Sequence, residues 1–223
     1  MGPWRAPAAN TNTNTNTNTN TFARESQIDL MAAAAKADPL EFRLANTSDP
    51  RMRRVLEEAG RGFGWQKAAA PSGRGLGIAC GLDAGTYVAA IAEVKVDRSS
   101  GKVQVVRVYC VQDMGIVINP EGARMQMEGC AMMGLGYALS EGIRFRSGQI
   151  LDRNFDTYEL PRFSWMPRIE TRIVENNALA PQGGGEPVII LMGGLIANAI
   201  FDAVGARVMH LPMTPARVRQ ALA

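Results

Sequence analysis

Apolar and polar positions follow two different periods along this chain, and the change of period divides it into segments. From Phe22 to Ala35 helix formers dominate and Ile28, Met31 and Ala35 fall on one side, which predicts a helix. Asp38-Pro39 and Asp49-Pro50 each place a capping side chain before a proline suited to the first helical position. They predict helices from about Pro39 to Asn46 and over Arg51–Gly60. After Pro71-Ser72-Gly73 the pattern becomes that of strands, over Gly75–Gly81, Thr86–Val96 and Lys102–Val111, and the turn at Asp97–Gly101 makes the last two an antiparallel hairpin. Asn119-Pro120 opens a long helix through Leu139, whose glycines Gly129, Gly134 and Gly136 suit close packing against a neighbouring backbone. A turn at Arg146–Gly148 splits Ile143–Ile150, Ile169–Val174 is another strand, and Leu191–Val204 and Pro215–Ala221 close the chain as helices. Helices and antiparallel strands in separate runs predict an α+β fold.

One stretch has neither period. Asn10–Thr21 is six Asn-Thr pairs with no apolar face to bury, and the expectation is a flexible insertion. The chain thus divides into residues 1–21 and a domain over 22–223.

Composition narrows the function. With 223 residues, 46% of them hydrophobic and 20% charged, the chain can bury a sizeable core. Its net charge of +3 is scattered, which argues against nucleic acid and anionic membranes as partners. A single His210 and Cys80, Cys110 and Cys130, each within an apolar run, lack the close pairs of a zinc or iron-sulfur site and read as buried thiols. No leader segment and no apolar run of membrane-spanning length stand out, so the expectation is a soluble product, cytoplasmic by default, with periplasmic placement open if a partner exports it.

The stretch with most chemical promise is Pro181-Gln182-Gly183-Gly184-Gly185-Glu186-Pro187. Successive glycines let a backbone approach a ligand closely, and one carboxylate stands in a loop before a proline. Glu186 suits a general base if the apolar Val188–Met192 buries it and raises its pKa; the alternative is a solvated turn whose glutamate faces water. In Trp4-Arg5-Ala6-Pro7 a cation between rigid neighbours can hold an oxyanion or a phosphate. The amides of Asp113–Asn119 can hold an anionic group where the following helix begins, or Asn119 is a plain cap. Met125, Met127, Met132 and Met133 suit a core face.

Taken in order, GPWRAPAANTN, FARESQIDL, DPLEFRL, VAAIAEVKVD, GKVQVVRV, DMGIVINP, QMEGCAMMGLGYALSE, NFDTYELPR, IVEN, GGGEP and ANAIFDAVGARVMHLPMTP resemble the carboxy-terminal part of the molybdopterin-binding large subunit of the xanthine dehydrogenase and aldehyde oxidase family. The nearest branch resembles the isoquinoline 1-oxidoreductase beta subunits. The resemblance implies that Glu186 is the family's catalytic glutamate, the base that deprotonates a hydroxyl on molybdenum. It implies that Arg5 lies beside the molybdenum centre, and that Gln126, Gly184 and Gly185 belong to the cofactor cleft. Where Gly184 stands the family commonly has a hydrophobic residue, which predicts a looser loop.

The same resemblance implies a molybdenum-molybdopterin cofactor shared with an amino-terminal molybdopterin-binding half or chain, since the family's upstream glutamine loop has no counterpart here. It further implies a small subunit with [2Fe-2S] clusters, an FAD subunit or cytochrome as electron acceptor, and a small-molecule substrate, an aldehyde or N-heterocycle. Two readings stay open at this point: the base-bearing part of a molybdenum hydroxylase, and a non-catalytic domain that packs against or assembles partner chains.

Overall fold

The Asx-Pro signals begin helices as expected. In the computed structural model, which describes residues 18–66 and 71–223, Asp38 Oδ1 accepts the Leu40 N–H at 2.8 Å, Asp49 Oδ1 the Arg51 N–H at 2.8 Å and Asn119 Oδ1 the Gly122 N–H at 2.9 Å. In chain order the elements are α1 (Asn18–Ala34), α2 (Pro39–Ala45), α3 (Pro50–Phe63), β1 (Arg74–Asp83), β2 (Thr86–Val96), β3 (Val103–Asp113), α4 (Pro120–Leu139), β4 (Phe145–Arg146), β5 (Gln149–Ile150), β6 (Arg168–Ile173), α5 (Met192–Val204) and α6 (Pro215–Leu222). A 3-10 turn over Pro187–Leu191 leads straight into α5.

The sheet has the order β1-β2-β3-β6. The first three strands form an antiparallel meander with Cys80 opposite Ala89 and Ala90 opposite Cys110. Not every strand is antiparallel: β6 runs parallel to β3, with Cys110 opposite Thr171. A parallel neighbour needs a long crossover, which α4 and the segment after it supply.

Alternation along the strands fills a core on each face. Ala79, Ala90, Ala92, Val108 and Cys110 pack with α4, α5 and the 3-10 turn, and Ile78, Cys80, Ala89, Ile91 and Val111 pack with Leu40, Val55, Leu56 and Phe63 of α2 and α3. All three cysteines are buried and unbridged, and burial together with Glu25 pushes the Cys80 thiol up to about 12. Helix α5 lies unusually close to the sheet because β1 offers no side chains there: a Cβ at Gly77 would collide with the Leu195 carbonyl and the Ala199 amide. Of the helix glycines singled out, Gly134 and Gly136 are packed, against Met192 and Glu141 side chains rather than backbone, whereas Gly129 faces open space.

Two expectations are corrected at the amino-terminal helix. Among the described residues it reaches back to Asn18, taking in the end of the Asn-Thr repeat, and Thr21 is fully buried; the rest of the repeat and Arg5 lie outside the described residues. Its buried face is largely polar: Thr21, Glu25, Ser26 and Asp29 are buried beside Phe22 and Ala32, while Met31 is half exposed. Partners distant in sequence make this possible. Glu25 Oε2 accepts from Arg43 Nε and from the Cys80 N–H, both at 3.1 Å, and Asp29 Oδ2 accepts from Arg207 Nη2 at 2.6 Å. Asn198 on α5 donates to the Glu25 carbonyl at 3.2 Å and to the Ile78 carbonyl at 3.1 Å, joining helix, sheet and α5.

The run Pro187–Val204 is, contrary to expectation, apolar enough by length and composition to cross a bilayer. It is 89% buried within the fold, so its apolarity serves the core.

Candidate functional site

Strand β3 carries Asp113 at its carboxy-terminal end, where its carboxylate is 1% exposed. Arg51 Nε donates to Oδ2 at 2.9 Å and Arg51 Nη2 to Oδ1 at 3.0 Å, while Asn176 Nδ2 donates to both oxygens at 3.1 Å. Burial works to raise the Asp113 pKa, and the hydrogen bonds from Arg51, Asn176 and the Gly115 N–H outweigh it, holding the carboxyl below the usual range. Asp113 is therefore an anchor, and the residues after it form a wall. Gly115 has φ +72°, a conformation that favours glycine, and carries the chain past the Leu179 and Ala180 carbonyls. The Ile116 N–H then donates to Leu179 O and the Gln182 N–H to Met114 O, each at 2.9 Å, which zips this wall to the glycine loop.

The glycine loop is fastened at three successive residues. The Gly183 N–H donates to Ala84 O at 3.0 Å, the Gly184 carbonyl accepts Gln112 Nε2 at 3.2 Å and the Gly185 carbonyl accepts the Cys130 thiol at 2.9 Å. The expected looseness at Gly184 is not found. Met114 occupies the space a side chain would fill, its sulfur 2.5 Å from where a Cβ would stand.

Between wall and loop lies a cleft of about 270 Å³, bounded by Met114, Ile116, Ile118, Gln126, Gly184 and Gly185. The structure thus brings Gln126, Gly184 and Gly185 together: Gln126 Nε2 lies 3.2 Å from where a Cβ on Gly185 would stand. Asn119, also at the cleft, serves as the cap of α4 at the same time. Of the four methionines on α4, Met127 is buried, while Met125 and Met133 are exposed.

Glu186 follows the cleft glycines directly and is exposed, which matches the solvated-turn alternative and not burial by the apolar run behind it. The reason is directional: Val188, Ile189, Ile190 and Leu191 all turn inward in the 3-10 turn, leaving the residue that precedes it outside. Sequence reasoning also misses its neighbour Asp83. Burial, and after it the charge of Glu186, raises the Asp83 pKa, so two carboxylates share the edge of the loop. Gln112 and Cys130 are missed too, since neither residue carries a local signal of the loop carbonyl it meets.

The cleft's donors are uncharged amides and glycine backbone, and among the described residues no carboxylate lines it. Nor is any cluster of three or more described His, Cys, Asp or Glu residues placed to hold a metal ion. Such a donor set fits an anionic organic cofactor that brings its own metal ligands.

Comparison with known proteins agrees. Residues 53–167 match the family model described as molybdopterin cofactor-binding domain. The chain belongs to this family. It is 34% identical over 217 residues to a subunit of nicotinate dehydrogenase from Pseudomonas putida, covering 90% of this chain and 18% of that protein. It is 37% identical over 199 residues to the beta subunit of isoquinoline 1-oxidoreductase from Brevundimonas diminuta, covering 87% of this chain and 25% of that protein. In fold it is similar to the aldehyde oxidoreductase from Desulfovibrio gigas, with a TM-score of 0.79 at 15% identity over 99% of this chain and 41% of that one. The α+β architecture is thus that of a molybdopterin-binding domain. The chain spans between 18% and 28% of the length of the curated relatives named here and of a third, a membrane-bound aldehyde dehydrogenase of Gluconacetobacter polyoxogenes.

Proposed function

We propose that this chain is the base-bearing part of a molybdenum hydroxylase that oxidises an aldehyde or N-heterocycle with oxygen derived from water, and that Glu186 is the general base. The observation that carries the reading is the fastening of the glycine loop, which fixes Glu186 next to a cleft of uncharged donors. When bound, the molybdenum cofactor supplies the redox centre that accepts two electrons from the substrate. This chain holds it with the Gln126 amide and the backbone of Gly184 and Gly185, and the Glu186 carboxylate takes the proton that the reaction releases. Arg5 supplies a cation toward an oxygen ligand or the substrate. The rest of the cofactor envelope comes from an amino-terminal half or chain. Electrons leave through a [2Fe-2S] subunit to a flavin or cytochrome. The relatives' names support the substrate class, and the family resemblance supports these partners.

The deciding experiment is Glu186→Gln in the assembled enzyme. Turnover should fall about a hundredfold or more while molybdenum content stays unchanged; full turnover overturns the assignment. The exposure of Glu186 favours a second reading, a non-catalytic packing or assembly domain. Molybdenum per chain in natively purified complex separates them: about one supports the hydroxylase, none the packing domain.

A further inference from the structure

We propose that Gln112 and Cys130 are positioning residues for Glu186, acting through the two peptide groups that precede it. This inference rests on the reading of Glu186 as the base. Both side chains are buried, behind the cleft rather than in it. One donates to the Gly184 carbonyl at 3.2 Å and the other to the Gly185 carbonyl at 2.9 Å.

Geometry gives these two bonds a joint effect. Both peptide links are trans, so each N–H points away from the carbonyl of the residue before it. Drawing the Gly184 and Gly185 carbonyls toward the core therefore turns the Gly185 and Glu186 N–H groups the other way, toward the cleft that Gly184 and Gly185 line. With one carbonyl released, a peptide flanked by glycine can rotate at little steric cost, and the Glu186 Cα moves with it. The donors are themselves rigidly held: Gln112 on the central strand β3, opposite Val88 and Ile173, and Cys130 in the middle of α4. A strand and a helix thus act on the carboxylate through the carbonyls of the two residues before it. Rigid elements are what precise placement of a reacting group requires, because small misplacement is costly in rate.

The test compares Cys130→Ala, Cys130→Ser and Gln112→Leu with the natural sequence, by amide hydrogen exchange over residues 182–188 of the full chain and by the kcat and KM of the assembled enzyme. Cys130→Ala should speed exchange in that peptide about tenfold, the weight of one hydrogen bond of ordinary strength, and leave the rest of α4 unchanged. Cys130→Ser restores a donor and should return exchange close to the starting value; Gln112→Leu should loosen the same peptide from its other side. In the assembled enzyme Cys130→Ala should lower kcat with little change in KM, and Cys130→Ser should rescue it. Unchanged exchange in Cys130→Ala and Gln112→Leu overturns the inference, as does a serine variant as loose as the alanine one. So does a loosened loop with full turnover. Failure of the underlying reading is separate, since it is seen only when Glu186→Gln keeps its activity.

Discussion

Arg51 Nε meets Asp113 Oδ2 at 2.9 Å across 62 positions of sequence, joining the start of α3 to the end of β3. Arg51 also lies over the Tyr87 ring, 4.3 Å from its centroid, and Tyr87 donates its hydroxyl to Asp49, the cap of the same helix, at 2.7 Å. One arginine thus ties together helix, sheet and the wall of the cleft.

Removing it strands a buried carboxylate. Arg51→Ala should destabilise the chain by about 2–4 kcal/mol at neutral pH, since Asp113 keeps only Asn176 and the Gly115 N–H as donors. The folded pKa of Asp113 is depressed, so its stabilisation is complete above the ordinary carboxylate pKa and disappears as pH falls through the folded value. Urea unfolding from pH 7 down to pH 3 should show the wild type losing this advantage over Arg51→Ala. A constant gap across that range would contradict the assignment.

The opposite sign holds at Asp83. Burial and the neighbouring Glu186 raise its folded pKa, so the folded chain keeps a proton that the unfolded chain has already lost, and stability falls as pH rises through that window. Asp83→Asn should raise the melting temperature at pH 7 relative to the natural sequence, and the difference should shrink toward pH 4. With Glu186→Gln already in place, Asp83→Asn should gain less.

Two glycines should respond in opposite directions to the same methyl group. Gly77→Ala forces a Cβ into the backbone of α5 and should cost at least about 1–3 kcal/mol. Gly129→Ala, in the interior of α4 with open space around it, should stabilise by about 0.5–1 kcal/mol. Chemical denaturation of the two variants measures both, and equal effects would mean that α5 does not sit against β1 as described.

What can be read from the sequence is local. The caps at Asp38, Asp49 and Asn119, the β2–β3 hairpin and the turn at Ser147-Gly148 are each set by residues within a few positions of one another. What fails depends on distant partners. The first helix shows an apolar face in sequence yet buries Glu25 and Asp29, because Arg43, Asn198 and Arg207 reach it from 18 to 178 positions away in a network no window of sequence contains. The parallel pairing of β6 likewise depends on the long crossover from Asp113 to Arg168. At the site, Gly184, Gly185 and Gln126 meet at one cleft; the glycine run is a local signal, whereas only the family resemblance singles out Gln126. Of the two sequence readings of Glu186, the solvated turn is the one the fold shows, because the apolar residues after it serve the core and not the carboxylate.

The separation of the cleft's two sides also sets an order of assembly. Met114 and Gly184 meet across 70 positions of sequence with β6 between them, whereas the β1–β2–β3 meander closes through two short turns. Closing a longer loop costs more chain entropy before any contact offsets it, so the meander is the natural nucleus and the cleft the last part to condense. A ligand that bridges both sides would then act on refolding at its final step, slowing the reopening of the cleft more than it speeds the collapse of the sheet.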